Sequence, residues 1–376
     1  MRIAVVHSFY SSAVPSGENR VVLEQVKALH EAGHEVLLIR RDTDALQKRF
    51  LGARTALNLI ADRGFDPRPQ LQSFKPDVVH VHNLFPNISS SWIPEWNGPT
   101  VVSLHNYRAT CSNGYFYRDG AICTECFDFG PYRAIVHACY RNSRAATLPV
   151  ALTRVRTQRE LLHAASAVIT TSELSDEIVR KYVSSDLPTT VIPNFGPEDI
   201  QSLDQEYQPR QFWIALGRFS AEKGFVELAR DWPPEEFLIL DGNGALKKKI
   251  VDVATHKRIE VRSTRDRVVL TSTLAKAIGL IFPSRWFDVD PQVVVEGMAA
   301  GLPVIAFHHN AAARIVTASG AGATYTSSES LQAALSRVRT NREAMSAKAR
   351  AEYLRRWTKD AWLRRIFAVY ERVTRS

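Results

Sequence analysis

The sequence has no run approaching the about eighteen consecutive apolar residues that a helix needs to cross a bilayer, so a spanning helix is excluded. Its start, Met1 to His7, reads as a short apolar strand. It lacks the longer apolar core and small-residue cleavage site of a secretory signal, so residence in the cytoplasm is expected. Internal repeats and low-complexity tracts are missing as well. Apolar residues make up 45% and charged residues 23%, ordinary values that exclude a disordered or collagen-like chain. Cysteine is too scarce for a disulfide miniprotein, with four in 376 residues. Despite a net charge of +9, neither a base-reading helix nor an aromatic stacking platform is evident, so nucleic acid is not an expected partner.

At 376 residues, two domains are expected. The positive charge is patterned. Residues 132–165 carry six arginines (Arg133, Arg141, Arg144, Arg154, Arg156, Arg159) against Glu160 alone, and residues 341–376 carry ten Lys/Arg against four Asp/Glu. Such patterning suits a surface facing anions, and equally a set of solvated helix faces. The cysteines are patterned too: Cys111, Cys123, Cys126 and Cys139 fall within 29 residues, spaced C-x11-C-x2-C-x12-C. In a reducing compartment that arrangement suits a tetrahedral thiolate zinc site or an unligated reduced cluster, with a disulfide or iron–sulfur centre as further readings.

Short apolar strands alternate with amphipathic helices along the chain. Ile3–Val6, Val36–Ile39, Val78–Val81, Val101–Leu104, Ala167–Thr170 and Thr190–Ile192 read as strands. Glu18 to Ala32 reads as a helix with Val21, Val22, Val26 and Leu29 on one face, closed by Gly33. A polar, turn-rich stretch from Pro193 to Pro209 reads as a linker. After it come Phe212–Leu216, Phe237–Leu240, Ile259–Val261, Ile278–Phe282 and Pro303–Ala306, again with helices between. Continuous apolar strands alternating with helices mean parallel sheets covered on both faces. The expected fold is α/β, with two doubly wound domains in tandem and the ligand outside the carboxyl ends of the strands, by default in the cleft between the domains.

Several strand ends carry chemistry. After Phe212–Leu216, Gly217 permits a sharp turn, and Arg218 and Lys223 become two cations where a diphosphate could sit. After Ile278–Phe282, Asp288 and Asp290 precede a helix over Gln292–Ala300. Asp290 is expected as its N-cap and Pro291 at its first position, leaving the amides of Gln292 and Val293 to favour an anion. Glu296 lies within an apolar run and needs a partner there, which sugar hydroxyls would supply. The blander reading makes Asp290 a cap, Asp288 a loop acid and Glu296 a salt-bridged surface group. Pro15-Ser16-Gly17-Glu18, between the first strand and first helix, could meet a phosphate or sugar through Gly17. Asp241-Gly242-Asn243-Gly244 is a weaker loop signal. His105 ends a strand, which favours a cleft-facing role over a structural one.

Taken in order, Gly33-His34-Glu35-Val36, Pro76-Asp77-Val78-Val79-His80-Val81-His82, Val191-Ile192-Pro193-Asn194, Gly217-Arg218 with Lys223-Gly224, and Pro283-Ser284 through Ala306 resemble the GT-B glycosyltransferases, specifically retaining glycosyltransferase family 4. The last stretch is similar to that family's E-x7-E motif, here Asp288 to Glu296, and to the run that follows it. His105-Asn106-Tyr107-Arg108 with the four cysteines resembles a bacterial surface-polysaccharide subgroup.

The resemblance implies a GT-B fold of two Rossmann-like domains facing a cleft. The N-terminal acceptor-side domain is placed at 1–195, with the cysteine-bearing insertion at about 106–140. A C-terminal nucleotide-sugar domain is placed at 210–357, and residues 358–376 form a final helix returning to the first domain. It implies transfer from a UDP- or GDP-sugar to a glycan or lipid-linked acceptor, with no cofactor required for catalysis. Arg218 and Lys223 would neutralise the departing diphosphate. Glu296 would hold the ribose, Asp288 would contact the donor sugar with the amides near Gln292 and Val293, and His105 would reach the sugar. Two departures stand out: Asp288 replaces the family's first glutamate, and Asn310 and Arg314 replace a Gly and a Glu. They keep open a non-catalytic GT-B binding subunit, with a nucleotide-sugar epimerase as a third reading. A lipid-linked acceptor would bring the enzyme to the anionic inner face of the membrane. There Tyr132–Ala165 would serve as an interfacial segment, its six arginines interleaved with Leu148, Val150, Leu152, Val155 and Leu161.

Overall fold

The computed structural model describes residues 1–11, 17–45, 60–197, 211–264 and 266–375. Pro15 and Ser16 of the first loop, most of the expected linker, and the side chains of Val155 and Arg159 lie outside the described residues. The chain divides into two compact units. One comprises Met1–Arg118, Cys123–Pro193 and Leu363–Ser376; the other comprises Asp119–Ile122 and Asn194–Trp362.

The first unit is built on a six-stranded parallel sheet: β1 Arg2–Phe9, β2 Glu35–Asp42, β3 Val78–Asn83, β4 Thr100–Leu104, β5 Ala167–Thr170 and β6 Thr189–Val191. Their order is β2-β1-β3-β4-β5-β6. The inner strands are apolar because both faces are covered: β3, β4 and β5 are buried along their whole length. Helix α1, Gly17–Glu31, buries Val21, Val22 and Leu29 as its periodicity predicts. Gln25 and Ala28 complete that face, while Val26 is only half-buried.

The second unit repeats the architecture with β7 Phe212–Leu216, β8 Leu238–Asp241, β9 Ile259–Arg262, β10 Ala277–Phe282, β11 Val304–Phe307 and β12 Gly322–Tyr325, in the order β9-β8-β7-β10-β11-β12. Two apolar clusters, one on each face, fill its core around Ile214, Leu280 and Val304 on one side and Trp213, Leu240 and Ile305 on the other. Strand β12 has no counterpart in the sequence reading. Its exposed Thr324 interrupts the apolar run that marks the other inner strands.

In each sheet the strand order reverses beside the unit's first strand, between β1 and β3 and between β7 and β10. That reversal opens a crevice at the carboxyl ends, the usual ligand position of such sheets.

Candidate active site

Three backbone segments meet at the crevice of the second unit. Gly217, at φ 150°, turns the chain off β7. A Cβ on Gly242 would lie 1.9 Å from the Gly217 carbonyl oxygen, and one on Gly224 would lie 2.2 Å from that of Pro283. Glycine at these positions lets the loops after β7, β8 and β10 touch backbone to backbone.

On this floor stand the predicted cations and acids. Lys223 Nζ donates to Asp288 Oδ2 at 2.6 Å. The same oxygen accepts from Ser284 Oγ at 3.1 Å and Trp286 Nε1 at 3.2 Å. The ammonium also lies 5.3 Å from the Trp286 ring centroid. Arg218 donates to Glu222 Oε1 at 3.0 Å, which also accepts from Ser220 Oγ at 2.6 Å. Glu296 is buried, which removes the surface reading of that residue. Arg218 and Lys223 follow β7, Asp288 lies in the loop after β10, and Glu296 sits on the second turn of the helix Gln292–Ala299 that follows that loop.

Two expectations are corrected here. Helix α4, Gln292–Ala299, has Pro291 as its N-cap with no side-chain cap bond. Asp290 instead accepts from Asn194 Nδ2 at 2.5 Å and Gln292 Nε2 at 2.7 Å. Burial pushes its carboxyl up to about 7, against the pull of those two donors. The Gln292 amide is not free either, since it donates to the Asp290 carbonyl at 2.9 Å. The amide offered to an anion narrows to that of Val293. A proline N-cap has fixed φ and no capping oxygen, so the aspartate is released for tertiary bonding.

One of the departures, Asn310, has a local explanation. Asn310 is fully buried and caps helix α5, Ala311–Ser319, by accepting from the Ala313 amide at 2.9 Å. It also donates to the Ser284 carbonyl at 2.8 Å, tying this helix to the loop that carries Asp288. Arg314 is an exposed residue of the same helix.

The first unit presents different groups at its strand ends. His105 Nε2 shares a 2.8 Å hydrogen bond with His82 Nδ1. His82 stacks on His80 with ring centroids 4.2 Å apart. His80 in turn is held between Ser103 Oγ at 2.8 Å and Tyr370 Oη at 2.7 Å. Burial lowers all of them, His80 and His105 to about 3 and His82 well below its ordinary value; His7 falls to about 4 for the same reason. Gly17 opens helix α1, and beside it burial raises the Glu18 carboxyl to about 7 while Asn106 donates to it at 3.0 Å. The sequence reading missed Glu18 and the histidine stack. The alternation His80-Val81-His82 was the signal, since it puts the two imidazoles on one face of β3.

The four cysteines are free thiols, each partly buried. Cys139 is pushed up to about 12, first by burial and then by the other three thiols, so the four share one neighbourhood. Among the described residues, however, no group of three or more His, Cys, Asp or Glu stands as a ready metal-ligand set.

The interfacial segment is revised. Arg154 is only 8% exposed, and Val150 and Leu161 are buried. Arg133 is bound to Glu125, and Arg156 lies 3.6 Å from Asp62. Helix α2, Tyr132–Val136, and helix α3, Arg144–Thr157, instead expose Tyr132, Val136, Leu148 and Leu152. Among the described residues no helix is long and apolar enough to cross a membrane.

Two Rossmann-like units in one chain are the architecture of the GT-B glycosyltransferases, and the chain belongs to that class. More particularly, residues 15–195 match the model of Glycosyltransferase Family 4, and residues 210–341 match that of the glycosyl transferases group 1. A sucrose-phosphate synthase from Thermosynechococcus elongatus is similar in structure, with TM-score 0.71, 17% identity, and 99% of this chain and 98% of that one covered. A glycosyltransferase from Rickettsia africae gives 0.65 and 15%, with coverage of 99% and 98%. The Anabaena protein HepE, in complex with UDP and glucose, gives 0.60 and 16%, with 99% of each chain covered. No curated protein sequence matches the chain.

Proposed function

We propose that this glycosyltransferase moves a sugar from a UDP- or GDP-sugar to a glycan or lipid-linked acceptor with retention of configuration, in surface polysaccharide or glycoconjugate synthesis. The carrying observation is the pair Arg218 and Lys223 at the crevice of the second sheet, with Asp288 held against the lysine. HepE, crystallised with UDP and glucose, is a structural relative whose ligands agree with such a donor.

In the reaction the bond between the sugar's anomeric carbon and the diphosphate oxygen breaks, and a bond to the acceptor oxygen forms on the same face. The acceptor's hydroxyl proton passes to the departing phosphate. Negative charge builds on that phosphate, so preorganised cations are the main contribution the protein makes. Arg218 offers a fork and Lys223 a point charge. Donor binding would draw Lys223 from Asp288 toward the diphosphate and free the carboxylate for a sugar hydroxyl. Glu296 would hold the ribose, the Val293 amide and Gln292 would line the donor pocket, and His105, neutral through burial, would accept or donate one hydrogen bond to the sugar. Gly17 would be a donor contact contributed by the first unit.

The enzyme would work in the cytoplasm, peripherally at the inner membrane face, through the exposed apolar residues of α2 and α3 with the exposed Arg141 and Arg144 beside them. Catalysis needs no metal in this scheme. We also propose one structural zinc on Cys111, Cys123, Cys126 and Cys139. The shared neighbourhood of the thiols supports it, and the lack of a ready ligand set requires them to draw together on loading.

Calorimetry with UDP, GDP and their sugars tests the donor reading. Tight binding of one nucleotide, lost in Lys223→Ala, is expected. A chain that binds neither nucleotide would be the non-catalytic subunit instead.

A further inference from the structure

A cavity of about 80 Å³ lies within the first unit, roomy enough for several waters, with His82, His105, Arg108, Arg154, Arg156 and Asp62 in its wall. Its cations are of two kinds. Arg156 is balanced, lying 3.6 Å from Asp62 and 3.7 Å from Glu160. Arg108 and Arg154 form no salt bridge with a described residue. Arg154 donates to the carbonyls of Thr110 at 3.2 Å and Cys126 at 3.3 Å, and its guanidinium lies 5.0 Å from the Phe127 ring centroid. Arg108 donates to the Ser112 carbonyl at 3.1 Å and lies 4.6 Å from the Phe85 ring centroid. The Nε of each is buried without a hydrogen-bond partner. The acid that influences Arg108 is Glu18, whose carboxyl burial raises to about 7, so that at pH 7 it is about half protonated and only partly offsets the guanidinium.

Carbonyl dipoles and ring faces hold these guanidinium groups in place, but they do not cancel the charge. A buried cation without a counter-charge is costly, and an anion entering the cavity would relieve that cost for both at once. Arginine's planar fork suits a phosphate. The neighbouring wall adds two neutral imidazoles; since one N–H is spent in the bond they share, the pair can offer an anion one hydrogen bond without adding repulsion.

We infer that this cavity is an anion subsite in which Arg108 and Arg154 hold a phosphate group carried by the acceptor. The inference rests on the proposed reading of the first unit as the acceptor side. It adds what that reading lacked, a chemical class for the acceptor: one bearing phosphate close to the sugar that receives the transfer. The phosphate could belong to a phosphorylated glycan or to a lipid headgroup.

The test uses the full chain with Arg218→Ala and Lys223→Ala together, so that the donor cations do not contribute. Inorganic phosphate is titrated calorimetrically into this protein and into the same protein carrying Arg154→Gln or Arg108→Lys. Binding that weakens at least about tenfold in either added variant, with unchanged circular dichroism, is the expected result. Equal binding with and without these substitutions would overturn the subsite. Because Arg154→Gln could disturb the loop it bonds, a tungstate soak of the crystallised wild-type chain provides a second measurement. Tungstate within hydrogen-bond reach of Arg154 supports the subsite; tungstate found only at Arg218 and Lys223 overturns it. Competition against bound phosphate then separates the sources. A hexose 1-phosphate that displaces it assigns a glycan, dihexanoyl phosphatidate assigns a headgroup, and displacement by neither overturns the inference. Failure of the donor reading shows elsewhere, as wild-type nucleotide binding that survives loss of Arg218 and Lys223.

Discussion

The two sheets share six parallel strands and a reversal beside the first strand of each, yet they hold their strand-end polar groups by opposite means. In the second unit, charge is met by charge: Lys223 with Asp288, Arg218 with Glu222, and Arg262 with Asp241 at 3.0 Å. In the first, His7, His80, His82 and His105 are kept neutral by burial and linked to hydroxyl, amide and imidazole partners. A common scaffold therefore leaves the chemistry of the crevice open, and the strand-end side chains decide it. A fixed pair of cations suits a leaving group that gains charge. A neutral, hydrogen-bonding wall suits hydroxyl groups that must be oriented.

The largest expected effect comes from breaking the charged side. Arg218→Ala or Lys223→Ala should lower kcat at least about a hundredfold, as loss of one preorganised donor commonly does. Steady-state assays with the donor identified by calorimetry measure this. Near-normal turnover in both variants would remove these residues from the mechanism.

Acidification should separate the units. Unfolding lets His7 and His80 take up protons near pH 6.5 that the native state refuses until about pH 4 and 3. The first unit's stability should thus fall as pH drops from 7 to 5, by about 2 kcal/mol for each of these histidines. Glu18, raised to about 7, has the other sign and offsets about one histidine's share over the same range. Asp290, raised to about 7, holds its proton in the native state where the unfolded carboxyl has lost it, so its contribution to the second unit improves as pH falls. Hydrogen exchange at pH 7 and 5.5, corrected for intrinsic rates and read on peptides from β3 and from α4, would show opposite shifts. Shifts of the same sign would end the comparison.

A third outcome concerns the cysteines. Elemental analysis of protein purified without chelator should return one zinc per chain, and Cys126→Ser should lower Tm by several degrees. Sub-stoichiometric zinc with four freely titrating thiols would reject the site. The smallest effect is at the surface. Leu152→Ser should weaken binding to anionic vesicles by about threefold to tenfold, since it removes one exposed apolar side chain from the contact. Equal binding to anionic and neutral vesicles would refute the peripheral attachment.

Much of this was legible in the sequence because parallel strands buried on both faces leave unbroken apolar runs, as in Ile3–Val6 and Ala277–Phe282. The turn of Gly217 and the placement of Lys223 and Asp288 followed from strand ends alone. Their mutual salt bridge did not, because it joins residues 65 positions apart. Asp290 was misjudged for a related reason: a cap is a local expectation, and Asn194, 96 residues away, took the carboxylate. Arginine burial was the least legible. Nothing adjacent in the chain marks Arg154 as enclosed, because the carbonyls it meets, at Thr110 and Cys126, come from another loop.

The bond between Tyr370 and His80 bears on how the protein is made. Tyr370 and Ile366 are fully buried in the first unit, and Phe367 packs on His34 with ring centroids 4.5 Å apart. These residues leave the ribosome after the whole of Asn194–Trp362. At about 5–20 residues per second, the nascent first sheet waits about 10–30 s for the side chains that complete it. During that interval His80 lacks its tyrosine and an apolar face stays uncovered. Of the two units, the one synthesised earlier is thus the later to be finished, and a chaperone acting on the nascent chain would find its target there.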